Sequence, residues 1–158
     1  MKIKSLETRL ANAGQRNYLF VILTTDTGLV GIGEATLEWQ ERAVEVLLNE
    51  WVASRIVGRD PFDIEDVVGG MIRDQYQGGS TVMTAISSVE IALWDIIGKA
   101  TGQPVYRLLG GRAKSSLKAY ANGWYGGCET PEDFARRAAQ VVARGYEALK
   151  FDPFATAW

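Results

Sequence analysis

Histidine is missing from this chain altogether, and cysteine occurs once in its 158 residues. Without an imidazole there is no Ser-His or Cys-His nucleophile pair and no histidine-ligated metal. The lone Cys128 has no partner for a disulfide framework or a structural zinc site, in keeping with a reducing, cytoplasmic home. Excess charge of either sign is also lacking, for 17 basic and 19 acidic residues leave a net charge of −2. No basic field is there to recruit nucleic acid or an anionic membrane surface. Nor does any apolar run approach the ~20 residues of a membrane span, and the start MKIKSLETRL lacks the apolar segment of a secretory signal. The expectation is a soluble chain with neither nucleic acid nor membrane as a partner.

What is present is a hydrophobic share of 47%, enough for one ordinary domain, or a small domain plus a fragment. Ile3 to Leu10 suits a short strand, and Tyr18 to Thr25 is β-branched and apolar enough for a buried one. Asp26-Thr27-Gly28 signals a turn, and Leu29 to Glu34 alternates into a third strand, so an antiparallel meander is expected. The connection from Ala11 to Asn17 is polar and loop-like. Thr36 is placed to cap a helix running through Trp39, Ala43, Val46, Leu47 and Val52 to a stop at Gly58. Asp60-Pro61 has the order of a cap and a first-position proline and predicts a second helix.

The run from Thr84 to Gly111, TAISSVEIALWDIIGKATGQPVYRLLGG, carries the strongest signal. Ala85, Ile86, Val89, Ala92, Leu93, Ile96, Ile97 and Ala100 recur at helical spacing, with Val89, Leu93, Ile96 and Ala100 on one stripe. Such a helix is expected to be buried. Glu90 and Asp95 interrupt it, and Asp95 stands four residues before Lys99 in the orientation that supports a helix, a structural arrangement for buried charge. Gly102 ends the helix, Pro104 bars its return, and Leu108-Leu109-Gly110-Gly111 turns the chain.

In that run Ala85, Ser87, Val89, Glu90, Ala92, Trp94-Asp95-Ile96, Gly98-Lys99, Gly102, Pro104 and Leu108 to Gly111 stand in an order that resembles the signature of the enolase superfamily, in its mandelate racemase and muconate lactonizing branch. The resemblance implies an α+β N-terminal capping domain over residues 1–109, an antiparallel meander plus helices. Residues 110–158 would be the first βαβ unit of an incomplete C-terminal (β/α)7β TIM-like barrel. The residues agree with that opening. Leu117 to Ala121 reads as a strand, Thr130-Pro131-Glu132-Asp133 as a helix N-terminus, Phe134, Ala138, Val141 and Val142 as its apolar face, and Tyr146 to Phe151 as a second strand. A complete barrel needs about 200 residues or more.

Lys150 and Asp152 are two apart on that second strand, so both project to one face at its C-terminal end, where barrels carry catalytic groups. Relatives in this branch often have Lys-x-Lys here, with the second lysine as the base. Asp152 replaces it. A neighbouring carboxylate favours the charged ammonium, so Lys150 suits binding a substrate carboxylate or a developing enediolate better than removing a proton, and Asp152 would orient it. An ion pair that merely finishes a strand would look the same in sequence. Asn122 and Trp124 follow the first barrel strand and suit a hydroxyl-rich substrate, or else a loop cap and a half-buried ring. By the resemblance, the Ala11 to Asn17 loop folds over the barrel mouth with Arg16 as a contact for an acidic substrate; an ordinary solvated arginine fits as well. Tyr76 to Gly79 would form a second cap segment.

The resemblance implies Mg²⁺-assisted abstraction of the proton α to a carboxylate, with the metal carboxylates on later barrel strands, beyond Trp158. Glu34, Glu38, Glu41 and Glu45 read as solvated charge, and the Glu41/Glu45 pair does not specify Mg²⁺, so no metal ligand is assigned within these residues. The missing second lysine and polar loops favour a sugar-acid dehydratase, a hydro-lyase, over a racemase, epimerase or cycloisomerase of the same branch. Homo-oligomers are common among such enzymes. The rival reading is a non-catalytic fragment or binding module, and these residues alone are expected to be inactive.

Overall fold

The computed structural model describes residues 1–14 and 16–153. They fall into two compact units, Met1–Arg112 and a second that begins at Ala113. In the first unit β1 (Ile3–Asn12), β2 (Asn17–Thr25) and β3 (Val30–Glu34) form an antiparallel sheet in the order β1-β2-β3. Leu19, Val21, Leu23 and Thr25 of β2 are buried and alternate with half-exposed neighbours, so burial fixes the register that pairs Val21 with Thr8 and with Gly33.

The helical run after β3 differs from expectation in its start and its face. Thr36 caps no helix; its hydroxyl accepts the Leu19 N–H at 3.1 Å and so closes the β2 end. The helix begins instead at α1 (Glu41–Val46), passes without a break through a π-helical stretch (Leu47–Val52), and ends as α2 (Ala53–Ile56). Its buried apolar residues are Val44, Leu48, Val52 and Ile56, whereas Ala43 and Val46 are exposed. A strict four-residue repeat drifts around an ordinary α-helix of 3.6 residues per turn, and the wider π winding holds it on one face. Asp60-Pro61 likewise starts no helix. It makes a turn in which Asp60 Oδ1 accepts the Phe62 N–H at 3.0 Å, and α3 (Ile64–Asp74) follows, burying Ile64, Val67, Val68 and Met71.

α4 (Ser80–Thr101) is the central helix, 22 residues long. It begins after Gly79 and stops at left-handed Gly102 (φ 66°), where the Gln103 N–H returns to the Gly98 carbonyl at 2.9 Å. Ala85, Ile86, Val89, Ala92, Leu93, Ile96 and Ile97 are buried as expected, but Ala100 is exposed. By length and composition alone α4 could cross a membrane, contrary to the sequence expectation. Here it packs as a core helix, crossing β3 where that strand has no side chains to offer. A Cβ on Gly33 would lie 1.9 Å from the Ser88 carbonyl oxygen, and one on Gly31 2.2 Å from that of Ala92. The helix backbone therefore rests directly on the strand backbone. Asp95 and Lys99 reach around the outer side of β3: Asp95 Oδ2 accepts the Ile32 N–H at 2.9 Å, and Lys99 Nζ donates to the Val30 carbonyl at 2.7 Å and to Asp95 at 2.6 Å. A single turn, α5 (Val105–Leu108), leads to Gly110 and Gly111.

The second unit contains α6 (Pro131–Ala143), opened by a reciprocal capping box between Thr130 and Asp133. Val141 is its buried residue, and Val142, expected on the apolar face, is exposed. The two expected strands are reduced among the described residues to one parallel bridge, Ala121 to Leu149. The Ala121 N–H donates to the Ala148 carbonyl at 2.9 Å, and the Lys150 N–H to the Ala121 carbonyl at 2.8 Å. The parallel order with a helical crossover is thus present. An extended sheet is not, because a parallel pair without flanking strands has little to stabilise it along its length.

Candidate functional site

The bridge determines which residues meet in the second unit. Asn122 directly follows Ala121, Lys150 directly follows Leu149, and both lie at the C-terminal ends of the paired segments. Lys150 and Asp152 have exposed side chains. At the opposite end of the pairing Lys118 and Glu147 form an ion pair. Asp152 also borders a cavity of about 240 Å³ with Tyr125, Cys128 and Phe134. The Cys128 side chain is buried in this wall.

Trp124 occupies a different role from an open loop ring. Its indole N–H donates to the Lys150 carbonyl at 2.9 Å, and its ring packs with Tyr125, Phe134 and Phe151 at centroid distances of 5.7, 6.4 and 5.5 Å. Asp133 shows how the loop is braced from the helix side. The Arg136 guanidinium, then the Thr130 hydroxyl and the Thr130 and Glu129 N–H groups, hold its carboxyl well below the usual range, at about 2. That carboxylate caps the helix terminus.

In the first unit Arg16 lies beside a cavity of about 310 Å³ with Asn12, Asn17, Glu38, Trp39 and Glu41. Its guanidinium is 3.9 Å from Glu38, and both side chains are half-exposed. The loop is tied locally: Asn12 Nδ2 donates to Asn17 Oδ1 at 2.9 Å, and the Ala13 N–H to the Arg16 carbonyl at 2.9 Å. Trp39 is 90% exposed and has φ 72°, a left-handed conformation rare for a bulky residue. The sequence expectation put Trp39 inside the helix and took Glu41 as solvated, whereas Trp39 precedes the helix and Glu41 is buried. Glu45 bonds to Arg42 and Thr8 and makes no pair with Glu41. Among the described residues no three acidic or sulfur groups converge to hold a metal ion. The donor set of the described residues therefore does not by itself fit Mg²⁺.

Residues 2–110 match the family model described as the mandelate racemase / muconate lactonizing enzyme N-terminal domain. A D-gluconate dehydratase of Thermoproteus tenax is 41% identical over 138 residues, covering 86% of this chain and 28% of that protein. A D-galactonate dehydratase of Xanthomonas oryzae pv. oryzae is 40% identical over 153 residues, covering 96% of this chain and 38% of that protein. Among solved structures, an enolase from Pantoea ananatis with bound D-gluconate and Mg superposes with a TM-score of 0.83 at 30% identity, over 94% of this chain and 35% of that one. The chain spans about a third of the length of the curated relatives it matches.

Proposed function

The chain belongs to the mandelate racemase / muconate lactonizing enzyme family, and from that premise we propose that the whole protein is a hydro-lyase that dehydrates a sugar acid. The α-proton of the carboxylate leaves, the β-hydroxyl departs as water, and the enol collapses to a 2-keto-3-deoxy acid. The observation that carries this reading is the parallel bridge, which ends in Asn122 on one segment and in Lys150 and Asp152 on the other. C-terminal strand ends are where a barrel collects its reacting groups. The dehydratase names of the relatives and the gluconate in the Pantoea structure support the substrate class.

In this proposal the Lys150 ammonium meets the substrate carboxylate and offsets the charge that builds there as the C–H bond breaks, an interaction stronger in the transition state than in the ground state. Asp152 orients that ammonium. Asn122 hydrogen-bonds a hydroxyl. Mg²⁺ is proposed for the whole protein on the strength of the Pantoea structure. The same reading takes the second unit as the opening of a (β/α)7β barrel and the whole protein as a cytoplasmic homo-oligomer. Its partner is a small-molecule carboxylate, with no nucleic acid or membrane as a partner. The test is a panel of aldonic and aldaric acids offered to the whole protein with Mg²⁺, with detection of 2-keto acid. Formation from at least one aldonate is expected, and none from any member of the panel would overturn the proposal.

A further inference from the structure

Lys150 carries its charge on a flexible four-carbon stem, so where its ammonium stands depends on how firmly its backbone is held. Both peptide groups around it are tied. Its N–H donates to Ala121 at 2.8 Å within the bridge, and its carbonyl accepts the Trp124 indole N–H at 2.9 Å. The second bond comes from a side chain and not from a sheet, at the point where the bridge has ended.

That indole has little freedom of its own. Every pair among Trp124, Tyr125, Phe134 and Phe151 lies within 6.5 Å between ring centroids. The Trp124 carbonyl also accepts from Arg137 of α6 at 3.4 Å. Phe134 belongs to α6, whose first turn is fixed by the Thr130/Asp133 capping box, and Phe151 is the next residue after Lys150. Helix, loop and segment end therefore converge on one ring, whose single donor is spent on Lys150.

We propose that Trp124 is a positioning residue that aims the Lys150 ammonium by clamping the Lys150 carbonyl, rather than a residue that touches substrate. This rests on the reading of Lys150 as the group that meets the substrate carboxylate. Tryptophan suits the task because its apolar body anchors in the cluster while its N–H reaches out of it. Phenylalanine keeps the anchor and loses the bond.

The experiment is a double-mutant cycle in the whole protein, on an aldonate that the wild type turns over. Trp124→Phe is expected to lower kcat about tenfold, a fraction of what a ~1 Å misplacement can cost. KM should stay within about twofold, as for an interaction made mainly in the transition state. In a Lys150→Ala background the same change should cost less than about twofold, because residues that act through one another are not additive. If Trp124→Phe does not fold, benzothienylalanine at position 124, which replaces the N–H by sulfur in a ring of the same outline, should give the same loss. Wild-type kcat in the Trp124 variant overturns the proposal, and so does a full tenfold loss that persists without Lys150. Wild-type kinetics in Lys150→Ala would remove the role of Lys150 and this inference with it, while leaving dehydration itself standing. A wild type that turns over no aldonate would overturn the functional reading and both roles.

Discussion

Replacing Gly33 by alanine adds one carbon where the structure has no room for it. The new Cβ would lie 1.9 Å from the Ser88 oxygen, 2.9 Å from the Ser88 carbonyl carbon and 3.3 Å from the Ala92 nitrogen. All three are backbone atoms of α4, so no rotamer change relieves the clash. The helix has to back away by about 1 Å or more, which loosens Val89, Leu93 and Ile96 against the sheet. Overpacking a tight core costs about 1–3 kcal/mol and occasionally more, and a helix-wide displacement belongs at or above the upper figure. A loss of about 3 kcal/mol, with a slope of about 2 kcal/mol/M, moves the urea midpoint down by about 1.5 M. Gly70→Ala is the control of opposite sign. It lies inside α3 with only the far end of Arg73 at 3.9 Å, so alanine should stabilise by about 0.5–1 kcal/mol. Urea unfolding followed by far-ultraviolet circular dichroism reads both. A Gly33→Ala midpoint that implies less than about 1 kcal/mol of loss would refute the direct backbone contact between β3 and α4.

Thr36→Val should cost about 1–3 kcal/mol in the same assay, because it leaves the N–H of fully buried Leu19 without its acceptor, while Thr36→Ser should keep most of the stability. Equal losses in the two variants would mean that packing, not the hydroxyl, matters there. Trp39→Gly should stabilise by up to about 1 kcal/mol, since left-handed backbone costs an L-residue ~1–2 kcal/mol and glycine returns part of that as unfolded-state freedom. A clear destabilisation would show that the exposed indole packs on something. Asp133 should titrate near 2 by carboxyl NMR. Its pKa is depressed on folding, so its contribution is fully present above its ordinary value of 3.8 and is lost as pH falls toward about 2. Asp133→Asn should therefore weaken the acid dependence of stability in that window, and an unchanged profile would contradict it.

The elements most legible in the sequence were those whose own pattern decided them. β2 alternates, α4 has apolar residues at helical spacing and a glycine stop, and Thr130 to Asp133 form a cap from adjacent residues. The misreadings have distant causes. Thr36 looks like a cap until Leu19, 17 residues away in sequence, claims its hydroxyl. The repeat of Val44, Leu48, Val52 and Ile56 fits no ordinary helical period and becomes a single face only with the π winding. The glycines of β3 signalled a turn-rich strand but not the helix resting on them. At the candidate site, strand grammar anticipated a parallel pairing, of which the described residues hold the one bridge between Ala121 and Leu149. The bond from Trp124 to Lys150 spans 26 residues, and neither residue type announces it.

Asp95 and Lys99 give β3 what a fourth strand would have given it between Val30 and Ile32, an acceptor for the amide and a donor for the carbonyl, both from one turn of α4. This stretch of the β3 edge, already answered in this way, offers no template to a passing chain. Any association along that border would first have to evict a charged pair. The helix that fills the interior thus also closes this part of the sheet's border to a further strand.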